Sequence, residues 1–294
     1  MLVFELLDEE SPGHIQVRNQ VEVFLQSNER RCVTLMSHFL KKDSKILYIV
    51  DEKNKMWGVV SLTENGQLAH CIEDSKAVQA LRDYFAENPV KKIFSIMGEK
   101  KYTEELEKVF LSLNSLITHN SVDYYLMEYD SFVAEQVLLT VKDDPHKRQF
   151  LSKCHIFKCK ESDFNQVFPL QKAYELEEVV IDPRTYSEKS TRILLTRAIA
   201  NQSVFALRYD GKIIGKASFN AFGKNYIQLG GIYTDGGYRN NGVATLLVKT
   251  LSLQLKKADK KTVLFVKKSN RKAISVYENC GFHVFADYKI SYYI

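Results

Sequence analysis

The chain lacks any stretch reaching the roughly 18 apolar residues of a membrane span. Residues 1–10 hold four acidic side chains, where a signal peptide wants a basic start. The reading is a cytoplasmic chain with no membrane partner. Cysteine is sparse: Cys32, Cys71, Cys154, Cys159 and Cys280 are an odd number with no C-x-x-C pair, so neither a disulfide framework nor a thiolate zinc site is indicated. Most of them read as small buried apolar residues. The seven histidines are scattered with none at ligand spacing, which disfavours metal catalysis.

What is present suffices for two domains: 294 residues, of which 45% are hydrophobic. The net charge of +5 conceals an asymmetry, because residues 1–150 sum to −6 and residues 151–294 to +11. Only the second half is built to meet an anion, whether a nucleotide phosphate or a nucleic-acid backbone. Ordinary surface lysines would give the same excess.

The sequence also repeats itself. Residues 46–66 lie over residues 203–223 without a gap, matching Gly58 with Gly215, Ser61 with Ser218 and Gly66 with Gly223. Each segment reads as two β-rich runs around a polar turn, residues 51–55 in the first and Asp210-Gly211-Lys212 in the second, a hairpin signal. Later elements keep one order in both halves. A helix (76–85; 242–257) precedes an apolar strand (93–97; 263–266), a short helix (103–111; 270–280) and a Tyr-rich strand (124–129; 288–293). The expected fold class is α/β (α+β), as tandem domains over 1–145 and 150–294 with a polar linker across residues 140–153.

The chemistry concentrates in the second copy. An apolar strand ends at Thr234, Asp235-Gly236-Gly237 turns the chain, and Arg239-Asn240-Asn241-Gly242-Val243-Ala244 leads into a helix with Val243, Leu246, Leu247 and Leu251 at helical spacing. Free N–H groups in a helix's first turn can hold a phosphate. Gly242 and the small Ala244 let it approach the backbone, Asn240 or Asn241 could cap the helix, and Arg239 adds positive charge. Gly230-Gly231 inside the strand suggests a bulge or a close backbone approach.

These residues resemble the GNAT superfamily of N-acyltransferases, whose pyrophosphate loop reads Arg/Gln-x-x-Gly-x-Gly/Ala; here it stands as Arg239-x-x-Gly242-x-Ala244. About thirty residues on, Asn270-x-x-Ala273-x-x-x-Tyr277-x-x-x-Gly281-Phe282 is similar to the family's second signature. The resemblance covers residues 154–294. It implies two GNAT-like domains, each a mixed, mainly antiparallel central sheet flanked by helices. Residues 68–76 have no such loop, so the first copy is expected to be degenerate, a structural partner or a wall of the substrate cleft.

Carried over residue by residue, the resemblance implies acetyl-CoA as co-substrate. The backbone of Ile232, Tyr233 and Thr234 would pair with the pantetheine arm, and Arg239, Asn240, Asn241, Gly242, Val243 and Ala244 would take the pyrophosphate. Asn270 would serve as helix cap and pantetheine contact, and Tyr277 as the acid protonating the departing thiolate. Read without the motif, Tyr277 is equally a core tyrosine. Many family members carry a glutamate on the fourth strand, whereas residues 226–232 hold no acid. Candidate bases are Glu177, Glu178 and Asp235; the glutamate pair reads equally as a cation-binding pair or a solvated helix face.

The implied activity is N-acetyl transfer to a primary amine, small or peptidic, by direct attack. A second reading is an acyl-CoA-binding sensor or scaffold without turnover. A nucleic-acid module is disfavoured: Lys256-Lys257, Lys260-Lys261, Lys267-Lys268 and Arg271-Lys272 form a basic set, but no aromatic-basic RNA signature accompanies it. Those lysines are expected to cluster near the cofactor cleft. Cys280 reads as packing rather than a nucleophile, since nothing nearby supplies a base.

Overall fold

A computed structural model describes residues 1–7, 11–114, 118–140, 144–180 and 182–293. The chain runs β1 (Leu2–Glu5), α1 (Pro12–Ser27), α2 (Val33–Lys41), β2 (Lys45–Val50), β3 (Met56–Leu62), β4 (Gln67–Ile72), α3 (Ser75–Glu87), β5 (Ser95–Glu99), α4 (Lys100–Asn114) and β6 (Thr118–Tyr129). Helices α5 (Ser131–Thr140) and α6 (Pro145–Ser152) follow. The expected linker is thus helical on both sides, and its residues 141–143 lie outside the described residues. Pro145 at the first helical position and the Asp144 carboxylate, which accepts from the His146 and Lys147 amides, explain why the polar stretch winds up after Asp144.

The second half continues as β7 (His155–Lys158), α7 (Phe164–Tyr174), α8 (Glu188–Ala200), β8 (Val204–Tyr209), β9 (Lys212–Phe222), β10 (Tyr226–Thr234), α9 (Val243–Lys257), β11 (Lys261–Lys267), α10 (Arg271–Glu278) and β12 (Phe282–Tyr293). A π-type turn, Glu175–Val179, extends α7. The predicted hairpins form as β2–β3 and β8–β9; Asp210 and Gly211 both take positive φ (47° and 75°), the two-residue turn that suits right-twisted strands.

All the strands join one mixed, mainly antiparallel sheet, in the order β1-β2-β3-β4-β5-β12-β6-β11-β10-β9-β8-β7. From either edge five strands of one half appear in chain order, and the next is the last strand of the other half. Strand β6 pairs with β11 and β12 pairs with β5, both antiparallel, while β6 and β12 run against each other at the centre. Each half therefore completes its sheet with the partner half's final strand.

Helices cover both faces. Leu81, Phe85, Leu106 and Phe110 from α3 and α4 pack one face of the first half, and Val21, Leu25, Met36 and Phe39 from α1 and α2 the other. In the second half α9 and α10 bring Val243, Leu247, Leu251 and Ile274 to one face, and α7 and α8 bring Val167, Phe168, Leu195 and Ile199 to the other. The apolar spacing read along the sequence of α9 is the buried stripe, apart from half-buried Leu246.

Candidate active site

Strand β10 pairs in parallel with β11 only from Tyr226 to Leu229, against Lys261 to Leu264. Beyond Leu229 the two strands separate. On its other edge β10 carries an extra residue, since Gly230 lies opposite Ser218 but Tyr233 opposite Lys216. Gly231 within this bulge has φ +56°, a left-handed conformation that favours glycine. The Gly230-Gly231 pair thus makes the bulge that its sequence suggested.

Past the strand, the Asp235 carboxylate accepts from the Gly237 amide (3.0 Å) and from Lys212 Nζ (2.9 Å). The Lys212 bond holds its carboxyl below the usual range, so Asp235 is a turn-former rather than a proton acceptor. The loop closes on Gly242, the N-cap of α9, at φ +81°. Among the described residues no side chain caps this helix. That corrects the expectation for Asn240 and Asn241: Asn240 sits in the loop at φ +65°, and Asn241 Nδ2 reaches back to the carbonyls of Tyr238 (3.3 Å) and Arg239 (3.2 Å). Among the described residues no side-chain oxygen caps the amides that open α9 at Val243 and Ala244, which leaves a positive helix end for an anion. A Cβ at Gly242 would come within 3.1 Å of Leu151, so the loop is tight as well as left-handed there.

Arg239 NH2 donates to Glu177 Oε2 (2.7 Å), and the Tyr233 hydroxyl donates to the same oxygen (2.9 Å). Arg239 above all holds the Glu177 carboxyl below its ordinary range, so this acid braces the loop and is a poor base. Glu178 points elsewhere: its Oε1 accepts from Asn270 Nδ2 (3.0 Å), and Lys267 Nζ lies 3.8 Å from its Oε2. Asn270 meanwhile caps α10, its Oδ1 accepting from the Ala273 amide at 3.0 Å. Glu178 also adds to the field at the hydroxyls of Tyr277, Tyr174 and Tyr124. Tyr277 is 8% exposed, and burial pushes its hydroxyl well up, so it stays protonated at neutral pH. Ile232, Tyr233 and Thr234 form the half-buried end of β10 beside the separation.

Sequence reasoning missed three groups. Tyr124 stands on β6, opposite Lys267 of β11, so the first half supplies a side chain to this end of the sheet. Tyr174 ends α7, with its hydroxyl pushed up to about 12 by burial. Lys216 is fully buried on β9. A charged residue within Ile213-Ile214-Gly215-Lys216-Ala217 was the available signal for the last. The basic set divides: Lys267, Lys268, Arg271 and Lys272 lie near the separated strands, but Lys256, Lys257, Lys260 and Lys261 do not. They sit in the last turn of α9 and just past it, and the 15 residues of that helix span about 22 Å.

The corresponding place in the first half is built differently. Strand β4 pairs with β3 without a shift from Leu62/Leu68 to Gly58/Ile72. One residue past its last parallel pair with β5, Ala69 with Met97, stands His70, fully buried, with its ring against Gly98 and Nε2 2.8 Å from Thr103 Oγ1. Helix α3 is capped by its own Asp74 carboxylate, which accepts from the Lys76 amide at 2.7 Å. An anion there would meet a carboxylate already in place.

Residues 168–282 match the family model described as Acetyltransferase (GNAT) family. The GNAT match covers β10, the loop, α9, β11 and α10, where the glycines and the tyrosine stand. Likeness of fold extends over the whole chain. A GNAT-family acetyltransferase from Colwellia psychrerythraea superposes with TM-score 0.57 at 10% identity, covering 100% of both chains. A Drosophila protein reaches 0.70 at 10% identity over 100% of this chain and 98% of its own. A GCN5-related N-acetyltransferase from Sphaerobacter thermophilus reaches 0.50 at 11% identity, covering 84% and 79%. No curated protein matched by sequence.

Proposed function

We propose that the chain is an acetyl-CoA-dependent N-acetyltransferase acting on a primary amine, with the cofactor site in its second half. The observation carrying this reading is the uncapped N-terminus of α9, opened by left-handed Gly242 directly beyond the place where β10 leaves β11. The groove between those strands suits an extended arm, and the helix end suits the pyrophosphate that follows it. Ile232, Tyr233 and Thr234 would offer backbone to the arm, Arg239 to Ala244 would hold the phosphates, and Asn270 would contact the arm. The thioester supplies the acetyl group.

Tyr277 is the acid in this proposal, and Glu178 rather than Glu177 attracts the amine, because Glu178 acts on the Tyr277 and Tyr174 hydroxyls while Glu177 is held by Arg239 and Tyr233. The chain is read as two tandem copies, the first degenerate. The mirrored strand order supports duplication; His70, the unbulged β4 and the Asp74 cap support loss of cofactor binding there. Amine-dependent release of free thiol from acetyl-CoA, screened over polyamines, amino acids, aminoglycosides and peptide N-termini, tests the activity. No release with any amine would overturn it.

The second reading, an acyl-CoA sensor or scaffold, is favoured by one observation. The polar side chain at the middle of β10, Gln228, is turned to the first half, where Thr34 Oγ1 donates to its Oε1 at 3.1 Å. No carboxylate takes its place on that strand. Tight acetyl-CoA binding without amine-dependent thiol release would select this reading.

A further inference from the structure

Lys216 is among the largest side chains that the fold removes wholly from water. Its ammonium donates to the Gly231 carbonyl at 2.7 Å and lies 4.7 Å from the centre of the Tyr174 ring. Other groups facing it are Glu175 from the turn after α7, the Cys159 thiol beyond β7, and Tyr233, its partner across the ladder. Arg208 adds a second positive charge near the Cys159 thiol. Glu175 directs its oxygens to Thr191 Oγ1 (2.5 Å) and Gln171 Nε2 (2.7 Å). The bond that Lys216 itself makes is to the backbone of the bulge.

That bond has a directional effect. In a trans peptide the C=O and the following N–H point in opposite directions. With the Gly231 carbonyl held on Lys216, the Ile232 N–H points away from it, on the side where β10 has parted from β11. A positive charge on the carbonyl also strengthens that N–H as a donor, since hydrogen-bonded dipoles polarise one another. A neutral serine or asparagine would satisfy the same carbonyl without this effect.

We propose that Lys216 is a positioning residue for acetyl transfer, fixing and polarising the Gly231–Ile232 peptide so that the Ile232 N–H donates to the thioester carbonyl oxygen as it gains charge. The proposal rests on the acetyltransferase reading. In the transfer the amine nitrogen bonds to the acetyl carbon and the C–S bond breaks. The amine gives up a proton, the thiolate takes one, and the carbonyl oxygen carries negative charge in between. Stabilising that charge is the usual task of a preorganised backbone donor.

Burial pulls Lys216 down to about 7. Its charge is therefore present below that pH and lost above it, so the donor weakens as pH rises through 7. The test uses the full-length protein, with Lys216→Met and Lys216→Arg. Without any ligand, the Ile232 amide resonance of the wild type should step with a midpoint near pH 7, and in Lys216→Met the step should vanish. With acetyl-CoA and an accepted amine, Lys216→Met should lose tenfold or more in kcat while acetyl-CoA affinity stays within threefold. The wild-type rate should show a falling limb above pH 7 that Lys216→Arg, whose charge persists, does not share. A flat wild-type resonance, or full kcat in a Lys216→Met protein that binds acetyl-CoA, overturns the proposal and leaves the acetyltransferase reading standing. Absence of acetyl-CoA binding by the wild type overturns both.

Discussion

Replacing Glu29 by alanine should loosen the docking of the first half on the second. Glu29 sits in the short turn between α1 and α2 and is 1% exposed. Its Oε1 accepts from the backbone amides of Asn225 (2.8 Å) and Tyr226 (3.1 Å), and its Oε2 accepts from Asn225 Nδ2 (2.9 Å). Alanine strips all three donors of their acceptor. A deserted donor costs about 1–3 kcal/mol where it is buried; Asn225 is exposed and Tyr226 half-buried, so water recovers part of this, relief of the carboxylate's own desolvation offsets more, and the expected net loss is about 2 kcal/mol. Glutamine separates charge from hydrogen bonding. Its carbonyl oxygen keeps both backbone bonds while its amide makes Asn225 turn over, for an expected loss of about 1 kcal/mol. Urea unfolding, followed by far-UV circular dichroism and by the fluorescence of the single tryptophan, Trp57, should rank wild type above Glu29→Gln above Glu29→Ala. An alanine variant within about 0.5 kcal/mol of wild type would refute the reasoning.

Three further outcomes are expected. Glu177→Gln should tighten acetyl-CoA binding by a factor between about 1.4 and 5, because an exposed ion pair of about 0.2–1 kcal/mol no longer competes for Arg239; weaker binding would count against a phosphate role for that arginine. Tyr277→Phe should lower kcat while leaving acetyl-CoA affinity intact, and a loss confined to affinity would mean that the hydroxyl is not the acid. Burial holds the His70 imidazole down at about 3, against about 6.5 when unfolded. As pH falls the unfolded chain therefore takes up that proton first. The stability contributed by the neutral ring is complete above about pH 6.5 and drains at up to about 1.4 kcal/mol per unit down to about pH 3. His70→Gln should flatten that part of the stability curve measured against wild type, and an unchanged slope would contradict the burial argument.

What was legible in the sequence was what a short segment dictates. A tight left-handed turn into a helix needs glycine and small residues, so Gly242 and Ala244 announce themselves; so do the Asp210-Gly211 turn and the Asn270 cap. The exchange of β6 and β12 was not legible. Both are Tyr-rich strands, and either would pair acceptably with β5 or β11, so only the whole fold decides which neighbour each takes. Glu29 was equally hidden, because its partners are 196 and 197 residues away and nothing local marks a buried acceptor. Capping by Asn240 or Asn241 was a fair expectation from residue type, but the turn at Gly236–Tyr238 swings Asn241 back onto the loop's own carbonyls. Of the two adjacent acids, sequence could not say which faces the separated strands. One position along the turn after α7 sends Glu177 to Arg239 and Glu178 to Asn270.

The central claim is that the N-terminus of α9 receives the pyrophosphate of acetyl-CoA. Calorimetric titration of the wild-type chain and of Gly242→Glu with acetyl-CoA tests it most directly, since the substitution sets a side chain and a negative charge at a left-handed position against Leu151. The account predicts micromolar binding by the wild type and none by a variant that remains folded by circular dichroism. Equal binding by both, or none by the wild type, would contradict it.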